Sequence, residues 1–243
     1  MDETGGASGA LPARRGTAPG WFVCFEGGDG AGKTTQVRLL TDELERRGHP
    51  VLVTREPGGT RLGEQIRDLL LHGGHVAPRA EALLYAADKA HHVDQVVRPG
   101  LAAGQVVVTD RYTDSSIAYQ GMGRGLGRDE IRRLLHWAVR GLLPDLTIVL
   151  DVTPETGRLR RGPVHDRLEA EADEFHAVVR QGFLDLAARD PARYLVLDAA
   201  NPPEEIARQV LGRLEAVWAA AAHASAGGRR SRLGGIPTSG ERA

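Results

Sequence analysis

GGDGAGKTT, residues 27–35, follows the apolar run WFVCF at 21–25 and leads into an amphipathic stretch at 34–47. A short apolar run, a glycine-rich turn and a helical period make a strand–turn–helix unit. Gly27, Gly28, Asp29, Gly30, Ala31, Gly32, Lys33 and Thr34 fit the pattern G-x-x-x-x-G-K-[ST]. Such glycines let successive backbone N–H groups turn inward around the oxygens of a phosphate. The helix that opens at Lys33 adds its positive end. Lys33 brings a compact charge to the β and γ phosphates of a nucleotide such as ATP. Thr34 offers a hydroxyl to Mg2+, and Thr35 completes the loop's binding set.

Working outward, four more runs are short, β-branched and nearly continuous: PVLVT (50–54), QVVVT (105–109), LTIVL (146–150) and YLVL (194–197). Runs of this kind suit strands buried on both faces. Helical patterns lie between them at 61–71, 79–98, 128–141 and 168–188, and a last one follows Pro202-Pro203 to about 221. The alternation predicts a three-layer α/β fold of the P-loop NTPase kind, a five-stranded parallel sheet flanked by helices. Right-handed crossovers put the strand C-terminal ends at one edge. That edge carries Gly27–Thr34, Arg55, and Asp110 with Arg111. Residues 1–19 and 223–243, rich in small residues and without period, read as disordered tails around one domain at 20–222.

Composition excludes several classes of function. The net charge is −1, so nothing in the balance calls for nucleic acid or a membrane as partner. The apolar runs are far too short to cross a bilayer. Asp2 and Glu3 with no apolar region after them predict no signal peptide. Cys24 is the single cysteine, so no internal disulfide can form, and a cytoplasmic location is expected. Its place in a strand makes it a small buried hydrophobe. Of the 31 basic residues only Lys33 and Lys89 are lysine. A lysine kept in so arginine-rich a chain marks a position where a guanidinium does not serve.

VTREPGGTRLGEQIRDLLL begins at the end of the second strand, and VVVTDRYTDSSIAYQG begins within the third. Asp110 stands where a carboxylate would hold Mg2+ or its water. Arg55 and Arg111 are two forks able to grip phosphate bidentately. Taken singly, either arginine fits a surface salt bridge equally well. Together, opposite one phosphate loop, they suggest two phosphoryl compounds facing each other, as a phosphotransferase requires. A GTPase is disfavoured, because neither lysine is followed by x-Asp. The protein-kinase H-R-D-L-x-x-x-N set is also missing.

FEGGDGAGKTTQ, TREPGGT, DRYTDSSIAYQG and PDLTIVLDVTPE, in that order, resemble the bacterial thymidylate kinases over about residues 20–220. The resemblance implies transfer of the γ-phosphoryl group of ATP to dTMP, giving dTDP and ADP, by a homodimer with Mg2+. It implies that Arg55 and Arg111 grip the dTMP phosphate and that Asp29 reaches the sugar 3′-hydroxyl or the metal shell. Pro57 would turn against the base, and Ser115, Ser116 and Gln120 would line the nucleoside. A kinase of another (deoxy)nucleoside monophosphate, and a non-catalytic ATP-binding regulator on the same fold, are the alternatives.

In AEALLYAADKAHHVDQVV, helical spacing puts Leu83, Leu84, Ala87, Val93 and Val97 on one stripe, expected to face the core. Tyr85, Lys89 and His92 fall on another face. A ring beside a cation suits a base that stacks and accepts hydrogen bonds; a solvated helix face is the other reading. The family resemblance implies phenylalanine stacked on thymine at position 85 and arginine donating to its O4 at position 89. This chain departs at both.

PETGRLRRGPVHDRLEAEADEFH carries Arg158, Arg160, Arg161 and Arg167 in a segment broken by glycine and proline, a short mobile lid over about 157–168. A lid arginine over the γ-phosphate stabilises negative charge in transfer and excludes water. Since Gly30 follows Asp29, the resemblance implies that the lid, not the phosphate loop, supplies it. Arg167, in DRLE, matches best by its neighbours, with Arg160 and Arg161 next. The histidine pairs at 72 and 75 and at 91–92 have no frame for zinc. Asp198, in DAANPP, is expected at an edge of the adenine pocket.

Overall fold

The computed structural model describes residues 20–160 and 166–230, with side chains as far as His223. Arg161, within the expected lid, and both ends of the chain (1–19 and 231–243) lie outside the described residues. The five strands are β1 (Trp21–Gly27), β2 (Val51–Arg55), β3 (Val106–Asp110), β4 (Leu146–Asp151) and β5 (Tyr194–Asp198). All neighbours pair in parallel, in the order β2-β3-β1-β4-β5. The register sets Phe25 and Arg55 level with Asp110, and Gly27 level with Leu150. Three strand ends that carry phosphate-binding residue types therefore meet at one edge, as the alternation predicts.

Helices cover both faces. On one side α1 (Lys33–Arg46) and α9 (Pro203–Arg230) pack Val37, Leu40, Leu44, Ile206, Val210 and Leu214 against Val23, Phe25, Val108, Ile148 and Leu150. Each fully buried side chain of this size contributes about 1.5–3 kcal/mol. On the other side lie α2 (Arg61–Leu71), α3 (Pro78–His92), α6 (Arg128–Ala138) and α8 (Asp173–Arg189). There Leu70, Ala86, Leu135 and Phe183 form a second core with Val149.

Four stretches differ from the periodic reading. After α3 the helix continues through a π-helical segment, Val93–Val97, into α4 (Arg98–Ala102). A short α5 (Thr113–Ser116) and a second π-helical segment, Ile117–Gly123, follow β3. They are buried on nearly every side and so have no amphipathic period to detect. A one-turn-and-more α7 (Pro154–Arg160) stands at the base of the expected lid. At the other end α9 runs on past 221 to Arg230, into the stretch read as tail, because AVWAAAAHASA at 216–226 is rich in alanine.

The stripe expected to face the core on α3 is corrected. Val93 and Val97 are buried and Leu84 is partly so, but Leu83 is 58% exposed and Ala87 is exposed. The inward face carries Glu81, Tyr85, Asp88, Lys89 and His92 instead. Apolar periodicity misleads here because neighbouring segments supply polar partners to Glu81, Asp88, Lys89 and His92.

Candidate active site

The cleft at the sheet edge has a volume of about 950 Å3. The phosphate loop forms one wall. Gly32, at φ 89°, lies in the left-handed region that glycine tolerates, and its turn starts α1 at Lys33. The Lys33 ammonium is buried and donates to the carbonyls of Gly27 (3.2 Å) and Gly28 (2.9 Å). Burial and the nearby Arg111 charge lower its pKa, against the pull of Asp110 and Asp29. Gly30, Thr34 and Thr35 line the same wall, while Ala31 turns into the core. The lid base sits directly on the loop. A Cβ at Gly30 would lie 2.4 Å from the Gly157 carbonyl oxygen, and one at Gly157 would lie 2.5 Å from that of Asp29.

Asp110 ends β3 beside this loop. Its Oδ2 accepts from the Thr34 hydroxyl at 3.4 Å, and its Oδ1 is buried without a partner. An orphaned carboxylate oxygen next to a hydroxyl is a donor set of hard oxygens, which fits Mg2+.

Arg111 follows at φ 69°, a conformation strained for a non-glycine residue. It is ion-paired to Asp29, and it also donates to the Gly27 carbonyl (3.1 Å) and the Ser115 hydroxyl (2.9 Å). Tyr119 donates to the other Asp29 oxygen at 2.8 Å. Burial pushes the Asp29 carboxyl up, but Arg111 and Lys33 outweigh it and hold the pKa down at about 2. Arg55 also lines the cleft, and it has no ion-pair partner among the described residues.

Beneath Arg111 lies Glu26, wholly buried in β1. It accepts from the backbone of Tyr112 (2.9 Å) and Ser115 (3.1 Å) and from the Ser115 hydroxyl (2.5 Å). Burial, with the Asp114 charge adding and Arg111 opposing, raises its pKa to about 7.

The far wall holds Pro57, Tyr85, Lys89, Ser116 and Gln120. The Glu56–Pro57 peptide is cis. Lys89 is 1% exposed, with its ammonium 3.1 Å from Glu56 Oε2 and 5.4 Å from the centre of the Tyr85 ring. The pair with Glu56 is ionic by distance but not aligned as a hydrogen bond, so the ammonium keeps donors for other acceptors. Gln120 donates to Glu81 at 2.8 Å.

The lid arginines separate. Arg160 lines the cleft and donates to the Ala199 carbonyl at 2.9 Å. Arg158 pairs with Asp173 on the surface. Arg167 points elsewhere, with Nε on the Leu70 carbonyl (2.8 Å) and Nη2 on the buried Glu81 (2.6 Å). Asp198 accepts from the Ala200 backbone at 2.8 Å and does not line the cleft.

The thymidylate kinase family model matches residues 25–210. The chain belongs to the thymidylate kinase family. The thymidylate kinase of Clavibacter michiganensis subsp. michiganensis is 57% identical over 209 residues, covering 84% of this chain and 99% of that protein. That of Leifsonia xyli subsp. xyli is 58% identical over 210 residues, covering 85% and 98%. The crystal structure of thymidylate kinase from Ehrlichia chaffeensis, 32% identical, superposes with a TM-score of 0.69 over 82% of this chain and 100% of that one.

Three residues of this family site escape sequence reasoning: Glu26, Glu81 and Tyr119. A glutamate closing an otherwise apolar strand, as in WFVCFEG, is the one available signal for Glu26. Glu81 and Tyr119 look like ordinary helix residues until the fold brings Arg167 and Asp29 to them.

Proposed function

We propose that this chain transfers the γ-phosphoryl group of ATP to dTMP, giving dTDP and ADP. The observation that carries the reading is one cleft with two phosphate-gripping arrangements. The loop with Lys33 lies on one side, and Arg55, unpaired among the described residues, lies with Arg111 on the other. The family relationship gives the reading its substrates.

In this reading the loop's backbone and Lys33 hold the ATP phosphates. Arg55 and Arg111 hold the dTMP phosphate in line with them. Asp29 accepts from the sugar hydroxyl while its charge keeps Arg111 oriented. Pro57 and Tyr85 flank the base, Lys89 donates to it, and Ser115, Ser116 and Gln120 close the nucleoside side. No general base is needed, because the attacking phosphate oxygen is already anionic. Positioning and charge neutralisation supply most of the rate. Thr34 and Asp110 would hold Mg2+, which when bound neutralises charge on the phosphates. Arg160, already at the cleft wall, is the lid arginine best placed for the γ-phosphate. Arg167 instead ties the lid's C-terminal end to Glu81.

A homodimer fits the exposed apolar side chains. Leu69, Leu83 and Trp137 are 57%, 58% and 77% exposed on α2, α3 and α6. Those helices lie side by side, α2 against α3 and α3 against α6. Light scattering after size exclusion checks this, and a monomeric mass removes it.

The functional test is ADP release from Mg·ATP with dTMP, dUMP, dCMP, dGMP and dAMP in parallel. A clear preference for dTMP is expected. Preference for another monophosphate keeps the kinase and changes its substrate, with Tyr85 and Lys89 responsible. ATP binding with no turnover of any monophosphate supports the regulator.

A further inference from the structure

Arg55, the last residue of β2, lines the cleft, and the turn that follows it, from Glu56 to Thr60, has no regular structure. Its backbone anchors are few. The Glu56 N–H donates to the Asp110 carbonyl at 2.9 Å, the Gly58 N–H to Asp88 Oδ1 at 3.3 Å, and Arg67 to the Pro57 carbonyl at 3.1 Å. The side-chain anchor is His92. It is 0% exposed, and its ring nitrogens are committed one to the end of β2 and one to this turn. Nδ1 lies 2.7 Å from Glu56 Oε1, and Nε2 lies 2.6 Å from Thr54 Oγ1. A carboxylate oxygen only accepts, so Nδ1 donates to Glu56, and Nε2 and the Thr54 hydroxyl share the second hydrogen bond.

Thr54 and Glu56 are the residues on either side of Arg55. Successive residues of an extended chain point to opposite faces. One imidazole therefore grips both flanks of Arg55 from behind and leaves its guanidinium for the cleft. The grip is packed as well as bonded. A Cβ at Gly59 would lie 2.5 Å from His92 Cδ2, so the turn's backbone rests directly on the ring. Glu56 is 2% exposed and would be costly to bury without partners. His92 and Lys89 are those partners, so the same clamp also fixes where the Lys89 ammonium stands.

We propose that His92 is a positioning residue for the monophosphate acceptor: through Thr54 and Glu56 it sets the pose of Arg55 and Lys89 and leaves the ATP side untouched. The proposal rests on the reading of this cleft as a dTMP kinase site.

The test is steady-state kinetics with each substrate varied in turn, on the wild type, His92→Leu, His92→Asn and Thr54→Val, with thermal unfolding alongside. His92→Leu is expected to raise KM for dTMP about tenfold while KM for ATP stays within about twofold. His92→Asn keeps a donor for Glu56 and should recover most of that loss. Thr54→Val removes only the second contact and should raise KM for dTMP about threefold. Equal movement of both KM values, or an unchanged KM for dTMP in folded His92→Leu, overturns the proposal. If His92→Leu does not fold, Thr54→Val decides, and an unchanged KM for dTMP overturns it. Wild type inactive toward dTMP overturns the functional reading and this proposal together. Active wild type with insensitive variants overturns this proposal alone.

Discussion

Arg111 and Asp29 are ion-paired across the mouth of the phosphate loop, so the residue proposed to grip the acceptor phosphate is held by a residue of the donor loop. The guanidinium also reaches the Gly27 carbonyl and Ser115, and it lies 5.3 Å from the centre of the Tyr119 ring. A planar fork can serve these partners at once, and an ammonium cannot. Arg111→Lys is expected to lower kcat/KM for dTMP by about 10²-fold and to cost about 1–3 kcal/mol of stability. Kinetics and urea unfolding check both. Loss of stability with intact kcat/KM would make the arginine purely structural.

Glu26 makes a prediction about pH. An unfolded carboxyl of this type ionises near 4.5, whereas burial raises the folded one to about 7. Between those values the folded chain keeps a proton that the unfolded chain has lost. This group's contribution to stability therefore falls as pH rises through that window, by roughly 3 kcal/mol at most. Gln at position 26 has no such slope, and the Ser115 hydroxyl can reverse its hydrogen bond to serve the amide. The stability of Glu26→Gln relative to wild type should rise between pH 5 and pH 8, read from urea midpoints. Parallel curves for the two proteins would remove the buried-acid assignment.

The strands, their parallel pairing and the shared edge were legible because each depends on local pattern: β-branched runs, a glycine-rich turn and alternation with helical periods. The phosphate loop was legible for the same reason. Polar burial was not. In the sequence Lys89 and His92 read, with Tyr85, as a face for a base or for water, and nothing singles out Asp88; Asp88 and His92 are inside because the turn after β2 folds over them. Such partners are distant in sequence, and no period encodes them. Arg167 shows the same limit. Its neighbours in DRLE pointed to catalysis, but the buried Glu81, 86 residues earlier, takes its guanidinium.

Lys33 is the residue whose loss should be least forgiving. It is one of two lysines, and its ammonium sits inside the loop proposed to cradle phosphate. Lys33→Ala should lower kcat by about 10³-fold or more with little change in thermal unfolding, because its hydrogen bonds among the described residues go to two loop carbonyls. Near-normal ADP release would refute the assignment of the loop.

The two lid arginines separate two kinds of effect. Arg160 lines the cleft, so Arg160→Ala removes charge felt by the transferring group; kcat should fall by about 10²-fold with KM for dTMP nearly unchanged. Arg167 is bonded to Leu70 and Glu81, and Glu81 also accepts from Gln120 and Arg124. Arg167→Ala leaves that buried carboxylate with fewer partners and loosens the lid's C-terminal end. The expected result is a stability loss of about 2–4 kcal/mol and a smaller fall in kcat than for Arg160→Ala. Arg167→Lys keeps a charge for Glu81 and should restore most of the stability. If Arg167→Ala instead abolishes turnover in a protein as stable as wild type, the guanidinium leaves Glu81 during catalysis, and Arg167 rather than Arg160 acts at the γ-phosphate.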